Sequence, residues 1–126
     1  MSQKKTFPVQ YRVRHSWEYR KIQQTGRKIR LKNFTVLYQT RVEGPVRLGL
    51  IVSRKVGGAV QRNRVKRLVR EFFRLNLERL PEKRDFVVIA KKGTHQLSYF
   101  SVAGELASLF SIRNTHPEGG KCLQNK

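Results

Sequence analysis

The sequence predicts one α+β domain, with helices packed on a mixed β-sheet. Three observations lead there. The run "DFVVIA", Asp85 to Ala90, is continuously apolar after its first residue, as a central strand buried on both faces must be. "NFTVLYQT", Asn33 to Thr40, is rich in β-branched and aromatic residues and alternates, which marks a strand. Between them, Val65, Leu68, Val69 and Phe72 recur at helical spacing. The chain has 126 residues, enough for one core. Helix layered on sheet is the simplest way to bury those faces.

The elements follow in order. Residues 1–10 form a polar, basic tail closed by Pro8. A short helix is expected from Ser16 to Thr25, capped by Ser16 and stopped at Gly26. Asn33 to Thr40 forms a strand with Phe34, Val36 and Tyr38 on one face and Thr35 and Leu37 on the other. "EGP" at Glu43 to Pro45 marks a turn, and Val46 to Ser53 is a second strand, expected to pair with the first as a hairpin. Gly57 and Gly58 break the chain before a long helix, Val60 to Arg79, and Pro81 follows it. After the Asp85 to Ala90 strand, a last helix covers Ser98 to Ile112, weakened by Gly104. Residues 113–126 contain too little apolar surface to pack and read as a disordered tail, leaving 11–112 as the folded domain.

Charge narrows the partner. With 28 basic against 8 acidic residues the formal charge is +20, which repels itself in a compact chain unless an anion shares it. Nucleic acid and an anionic membrane are the usual candidates. No apolar run approaches the roughly 18 residues of a membrane span. The start has basic residues but no apolar stretch of a secretory signal. The lone Cys122 excludes an intramolecular disulfide and a multi-cysteine zinc site, in keeping with a reducing cytoplasm.

The charge is concentrated in "GGAVQRNRVKRLVREFFR", Gly57 to Arg74. At about 100° per residue, Val65, Leu68, Val69, Phe72, Phe73 and Leu75 share an arc of roughly 160°. Asn63, Lys66, Arg67, Arg70 and Arg74 share another arc about 100° wide. Arg62 and Arg64 lie near the edges of the apolar arc. From Arg54 to Arg74 there are eight bases and one acid, Glu71, whereas a merely solvated face normally mixes signs. Gathering Arg54, Lys55, Arg62 and Arg64 at the positive end of a helix dipole is unfavourable for an isolated protein, and phosphates relieve it. Clustered charge of this kind is the footprint of nucleic-acid binding.

The kind of nucleic acid stays open on the residues alone. The long helix suits a DNA groove. Equally, Tyr11, Trp17, Tyr19, Phe34 and Tyr38, interleaved with Arg12, Arg14, Arg20 and Lys21, suit single-stranded RNA bases stacked on aromatics. A basic ribosomal or other RNA-scaffold protein has the same composition. Neither GxxxxGK[ST] nor GxGxxG occurs. Nothing in the sequence gathers His15, His95 and His116 into an acid–base pair, and no two carboxylates have metal-site spacing. Any chemistry this chain serves is expected to reside in a partner.

"RLGLIVSRKVGGAVQRNRVKRLVREFFR" closely resembles the signature of the bacterial ribonuclease P protein subunit, an Arg-Asn-Arg core followed by Lys and Arg at helical spacing. "SWEYRKIQQTGRKI" with "FTVLY" resembles the family's first helix, glycine turn and first strand. "DFVVIAKKG" resembles its last strand and basic turn. The resemblance spans Tyr11 to Ile112. It implies a two-layer αβββαβα sandwich with a mixed central sheet and a left-handed βαβ crossover around the long helix. It also implies a partner RNA that is the catalyst, with Mg²⁺ held mainly by that RNA and its substrate. Together they remove the 5′ leader of precursor tRNA. By the same resemblance the catalytic RNA is bound by Arg62, Asn63, Arg64, Lys66, Arg67 and Arg70. A cleft between the first helix and the sheet holds the leader, at Tyr19, Tyr38, Arg54, Lys55, Lys91 and Lys92. No catalytic residue, membrane contact or obligate protein partner is implied for the chain. Gln23 stands where the family often carries a second aromatic, so leader grip rests more heavily on Tyr19 and Tyr38.

Overall fold

A computed structural model describes residues 11–41, 44–80 and 83–111. Within it α1 (Ser16–Thr25), β1 (Arg27–Arg30), β2 (Phe34–Thr40), β3 (Arg47–Ile51), α2 (Ala59–Leu75), β4 (Arg84–Ala90) and α3 (Tyr99–Leu106) follow one another, the αβββαβα order. The four strands form one mixed sheet in the order β1-β2-β4-β3. β1 with β2 and β2 with β4 are antiparallel, while β3 and β4 run parallel and are joined through α2. The expectations for residues 1–10 and 113–126 fall outside the described residues.

β4 is the central strand that its unbroken apolar run requires. Phe86, Val87 and Val88 are buried on alternating faces. Its position overturns the expected hairpin: β4 lies between β2 and β3, which therefore do not pair. A strand buried on both faces needs a hydrogen-bonding neighbour on each edge, and β2 and β3 supply them. The partner of β2 on its other side is β1, which composition conceals. Three of its four residues are Arg or Lys and exposed, because an edge strand contributes backbone hydrogen bonds and needs little apolar side chain.

The sheet separates two apolar clusters. On one face Phe34, Val36, Phe86 and Val88 meet Val65, Val69, Phe72 and Phe73 of α2 and Val102 and Leu106 of α3. On the other, Leu37 and Val87 meet Val13 and the α1 residue Ile22. The helical wheel thus phases α2 correctly, with one exception: Leu75, in its last turn, is 55% exposed. α2 stops there because the Asn76 side chain donates to the Phe72 carbonyl, and a short 3₁₀ turn, Leu77–Arg79, takes over. α3 likewise gives way to a 3₁₀ segment, Ala107–Ser111.

Ser16 is not the cap of α1. That position belongs to His15, and the Glu18 carboxylate reaches back to accept from the His15 and Arg14 N–H groups, both at 3.2 Å. Gly26 is the C-terminal stop, and only glycine fits there. A Cβ would lie 2.6 Å from the Ile22 carbonyl oxygen and 2.8 Å from that of Tyr38. Ser98 caps α3 by accepting from the Ser101 N–H.

Candidate nucleic-acid interface

α1 crosses the sheet from β3 toward β2, and near its start Tyr19 packs against Gly49 of β3. A Cβ at Gly49 would meet the tyrosine ring at 2.6–2.9 Å, so the glycine is what lets the ring reach the strand. The Tyr19 hydroxyl donates to the Val13 carbonyl and accepts from the Leu50 N–H, each at 3.3 Å. Val13 in turn donates to Leu48, and Arg12 forms a one-residue parallel bridge with Leu48. Residues 11–13 therefore cover the free edge of β3 and are pinned there by Tyr19.

Beside this tyrosine opens a groove of about 490 Å³, lined by Arg12, Arg14, Tyr19, Lys66 and Arg70 among others, with no carboxylate in its wall. Arg12 Nε is buried with no acceptor among the described residues. Burial lowers the Arg70 guanidinium below its ordinary value, the neighbouring charge of Arg12 adds to this, and Tyr19 partly opposes it. Cations that crowd one another in a half-buried concavity favour an anionic occupant.

The sequence-named residues separate into three places. Lys66 and Arg70, grouped by the wheel with the outward basic face, turn instead into the groove with Tyr19. Asn63 and Arg67 are exposed, and Arg62 is half-buried, its Nε 3.4 Å from the Gly58 carbonyl. Arg64, near the edge of the apolar arc, donates to the carbonyls of His95 at 3.0 Å and Leu97 at 2.8 Å and so ties α2 to the turn before α3. Arg54 and Lys55 follow β3, and Lys91 and Lys92 follow β4. Because those strands are parallel, both exposed pairs leave the sheet at the same end, the one from which the chain enters α2.

Tyr38 is not brought to Tyr19. It pairs with Phe86 across β2 and β4, packs on that ring with centroids 6.0 Å apart, and carries the Arg84 guanidinium at 5.5 Å over its own ring. These contacts are on the α2 side of the sheet, whereas Tyr19 packs with Leu37 and Val87 on the α1 side. The placement of Tyr38 in a cleft beside α1 is therefore corrected, and its cause is strand alternation. Phe34, Val36 and Tyr38 share one face, and the first two are core. On the α1 side the half-buried side chains are Ile51 and Ile89, which a search for aromatics passes over.

α1 is held by charge. Arg47 donates through Nε and its terminal nitrogen to Asp85, both at 2.9 Å, and to Glu18 at 3.0 Å, and Arg41 adds a contact to Asp85 at 2.9 Å. Gly49→Ala is expected to displace Tyr19, break both hydroxyl hydrogen bonds and cost about 1–3 kcal/mol by overpacking. Urea denaturation checks the loss, and a Tyr19→Ala background, in which the clash has no target, should abolish most of it.

Fold and charge together define a class: a small α+β protein whose surface is organised around a cationic groove. The ribonuclease P family model matches residues 7–113. The ribonuclease P protein component of Syntrophus aciditrophicus is 41% identical over 108 residues, 86% of this chain and 91% of that one. That of Desulfovibrio desulfuricans is 42% identical over 120 residues, 92% of each. The solved ribonuclease P protein from Thermotoga maritima superposes with a TM-score of 0.75 at 32% identity, covering 82% of this chain and 98% of that one. The chain belongs to the ribonuclease P protein family.

Proposed function

We propose that the chain is the RNA-binding subunit of ribonuclease P. It binds the catalytic RNA and holds the 5′ leader of precursor tRNA while that RNA removes it. The observation that carries this reading is the carboxylate-free groove in which Tyr19 lies among Arg12, Arg14, Lys66 and Arg70. A phosphodiester strand matches its charge, and an unpaired base matches the tyrosine ring. In this reading the exposed Arg67 and Asn63, with Arg62, face the catalytic RNA. Lys66 and Arg70 turn toward the leader. Arg54, Lys55, Lys91 and Lys92 extend the path across the end of the sheet where β3 and β4 finish. The proposed site of action is the cytoplasm. Among the described residues no helix is long and apolar enough to cross a membrane.

Mg²⁺ belongs, in this proposal, to the RNA and its substrate. The carboxylates near the groove do not fit a metal, because Glu18 and Asp85 are committed to arginines; elsewhere Glu71 pairs with Arg74 and Glu105 with Asn33. No step is routed through them. What the chain supplies is binding and orientation of the leader, which lowers the entropic cost of bringing the scissile bond to the catalyst.

The test is reconstitution. Protein freed of RNA is expected to cleave nothing, and adding it to a ribonuclease P RNA at low Mg²⁺ is expected to restore cleavage of precursor tRNA. Arg67→Ala should leave the fold intact and flatten the log–log salt dependence of catalytic-RNA binding by a little under one unit, the share of one phosphate contact. Cleavage by the protein alone, or no stimulation of the RNA, refutes the reading.

A further inference from the structure

α1 has a second groove on its other flank, separate from that of Tyr19. On the helical wheel Trp17 lies about 160° from Tyr19, so the two rings face opposite sides of α1. Trp17 is 58% exposed, although a tryptophan is the side chain that gains most from burial. It forms one wall of a groove of about 320 Å³, within the range of small-ligand sites of about 300–1,000 Å³. Lys21, one turn along α1, lies beside it, and Gln39, Thr40 and Arg41 form the facing wall. Outside the groove the His15 ring stacks against the indole, nearly parallel at 12° with centroids 6.1 Å apart.

The two grooves differ in charge. That of Tyr19 has cations and no carboxylate, which suits a phosphate backbone. That of Trp17 has the Asp85, Arg47 and Glu18 network in its floor, with each carboxylate already matched by an arginine. A phosphate gains little there. A flat, uncharged ring that stacks on the indole and offers donors and acceptors to Gln39 and Thr40 fits better. The exposed bases Arg20 and Lys21 of the same helix supply the attraction for the strand to which that ring belongs.

We propose that this groove takes an unpaired RNA base, stacked on Trp17, as a contact separate from the Tyr19 groove. The proposal rests on the reading of the chain as an RNA-binding subunit. Trp17 is the single tryptophan of the chain, so its emission reports on the site directly. The full chain is titrated with a single-stranded oligoribonucleotide of about 12 nucleotides, long enough for a site of this kind, and with a blunt duplex of equal length. The expected result is saturable quenching by the single strand, weak quenching by the duplex, and persistence of the quenching in Tyr19→Ala. Trp17→Ala should weaken single-strand binding about 5- to 10-fold, the lower part of the range for one stacked base, and Trp17→Phe should recover most of it. Binding with unchanged emission overturns this proposal alone, as does equal quenching by duplex, which needs only phosphate proximity. Quenching lost in Tyr19→Ala even at saturating strand overturns it too, by making the two grooves one site. Absence of any single-strand binding overturns it together with the reading on which it rests.

Discussion

Arg47→Ala is expected to destabilise the domain by about 3 kcal/mol, the lower end of the cost of breaking a buried ion pair. Arg47 of β3 sits directly opposite Asp85 of β4 and reaches beyond it to Glu18, so one guanidinium joins the two parallel strands to α1. The Asp85 side chain is only 6% exposed, and without Arg47 it keeps, among the described residues, Arg41 as its ion-pair partner. The surviving Arg41 contact is why the loss falls short of the 5 kcal/mol extreme. In a domain of about 100 residues this corresponds to a fall in Tm on the order of 10–20 °C, measurable by thermal denaturation. Arg47→Lys should recover part of it, since it keeps the charge and loses the two-pronged geometry. The same network has a pH signature. Burial alone raises the Glu18 carboxyl, but hydrogen bonds from the His15 N–H, Arg47 and the Arg14 N–H outweigh it and hold Glu18 below its ordinary 4.5. A depressed carboxyl contributes stability above its unfolded value and loses it as pH falls through the folded one. The acid limb of wild-type stability should therefore be steeper than that of Glu18→Gln. An Arg47→Ala protein as stable as wild type would mean that the network is only solvated surface.

Much of this arrangement was legible in the sequence, and the parts that were not share a cause. Periodicity located α1, α2, β2 and β4, because each has to bury a continuous apolar face. β1 has no such face, and only its backbone pairing defines it. The β2–β3 hairpin was a natural expectation for neighbouring strands, but strand order is settled by where the most apolar strand finds partners, and no local pattern encodes that. Within the site the wheel separated the basic residues of α2 from its apolar face and did not give their neighbours. Lys66 and Arg70 have a groove beside them only because residues 11–13 fold onto the edge of β3, a contact among residues distant in sequence. Gly49 carried a signal that sequence alone did not use: a glycine inside a strand marks the close approach of another group, and that group is Tyr19.

Tyr19 and Tyr38 give the sharpest division of the proposed function, because they are equally aromatic and lie on opposite faces of one sheet. Tyr19→Ala in the reconstituted enzyme is expected to weaken precursor-tRNA binding by about 5- to 150-fold, the equivalent of about 1–3 kcal/mol for a stacked base. Binding of mature tRNA, which has no leader, should hardly change. Tyr19→Phe retains the ring and loses only the hydroxyl bonds to Val13 and Leu50, so its affinity should remain near wild type. Tyr38→Ala removes a half-buried ring from Phe86. It is expected to cost about 2 kcal/mol of stability, less than the roughly 3–5 kcal/mol of a fully buried aromatic. At temperatures where the variant stays folded, its affinities for precursor and mature tRNA should keep the wild-type ratio. Filter binding with both RNAs, beside thermal denaturation of each variant, separates the two roles. A selective loss of precursor affinity in Tyr38→Ala, with none in Tyr19→Ala, would place the leader on the α2 side of the sheet. Maximal cleavage at saturating substrate and high Mg²⁺ should survive Tyr19→Ala, since an interaction made equally in the ground and transition states changes binding without changing the chemical step.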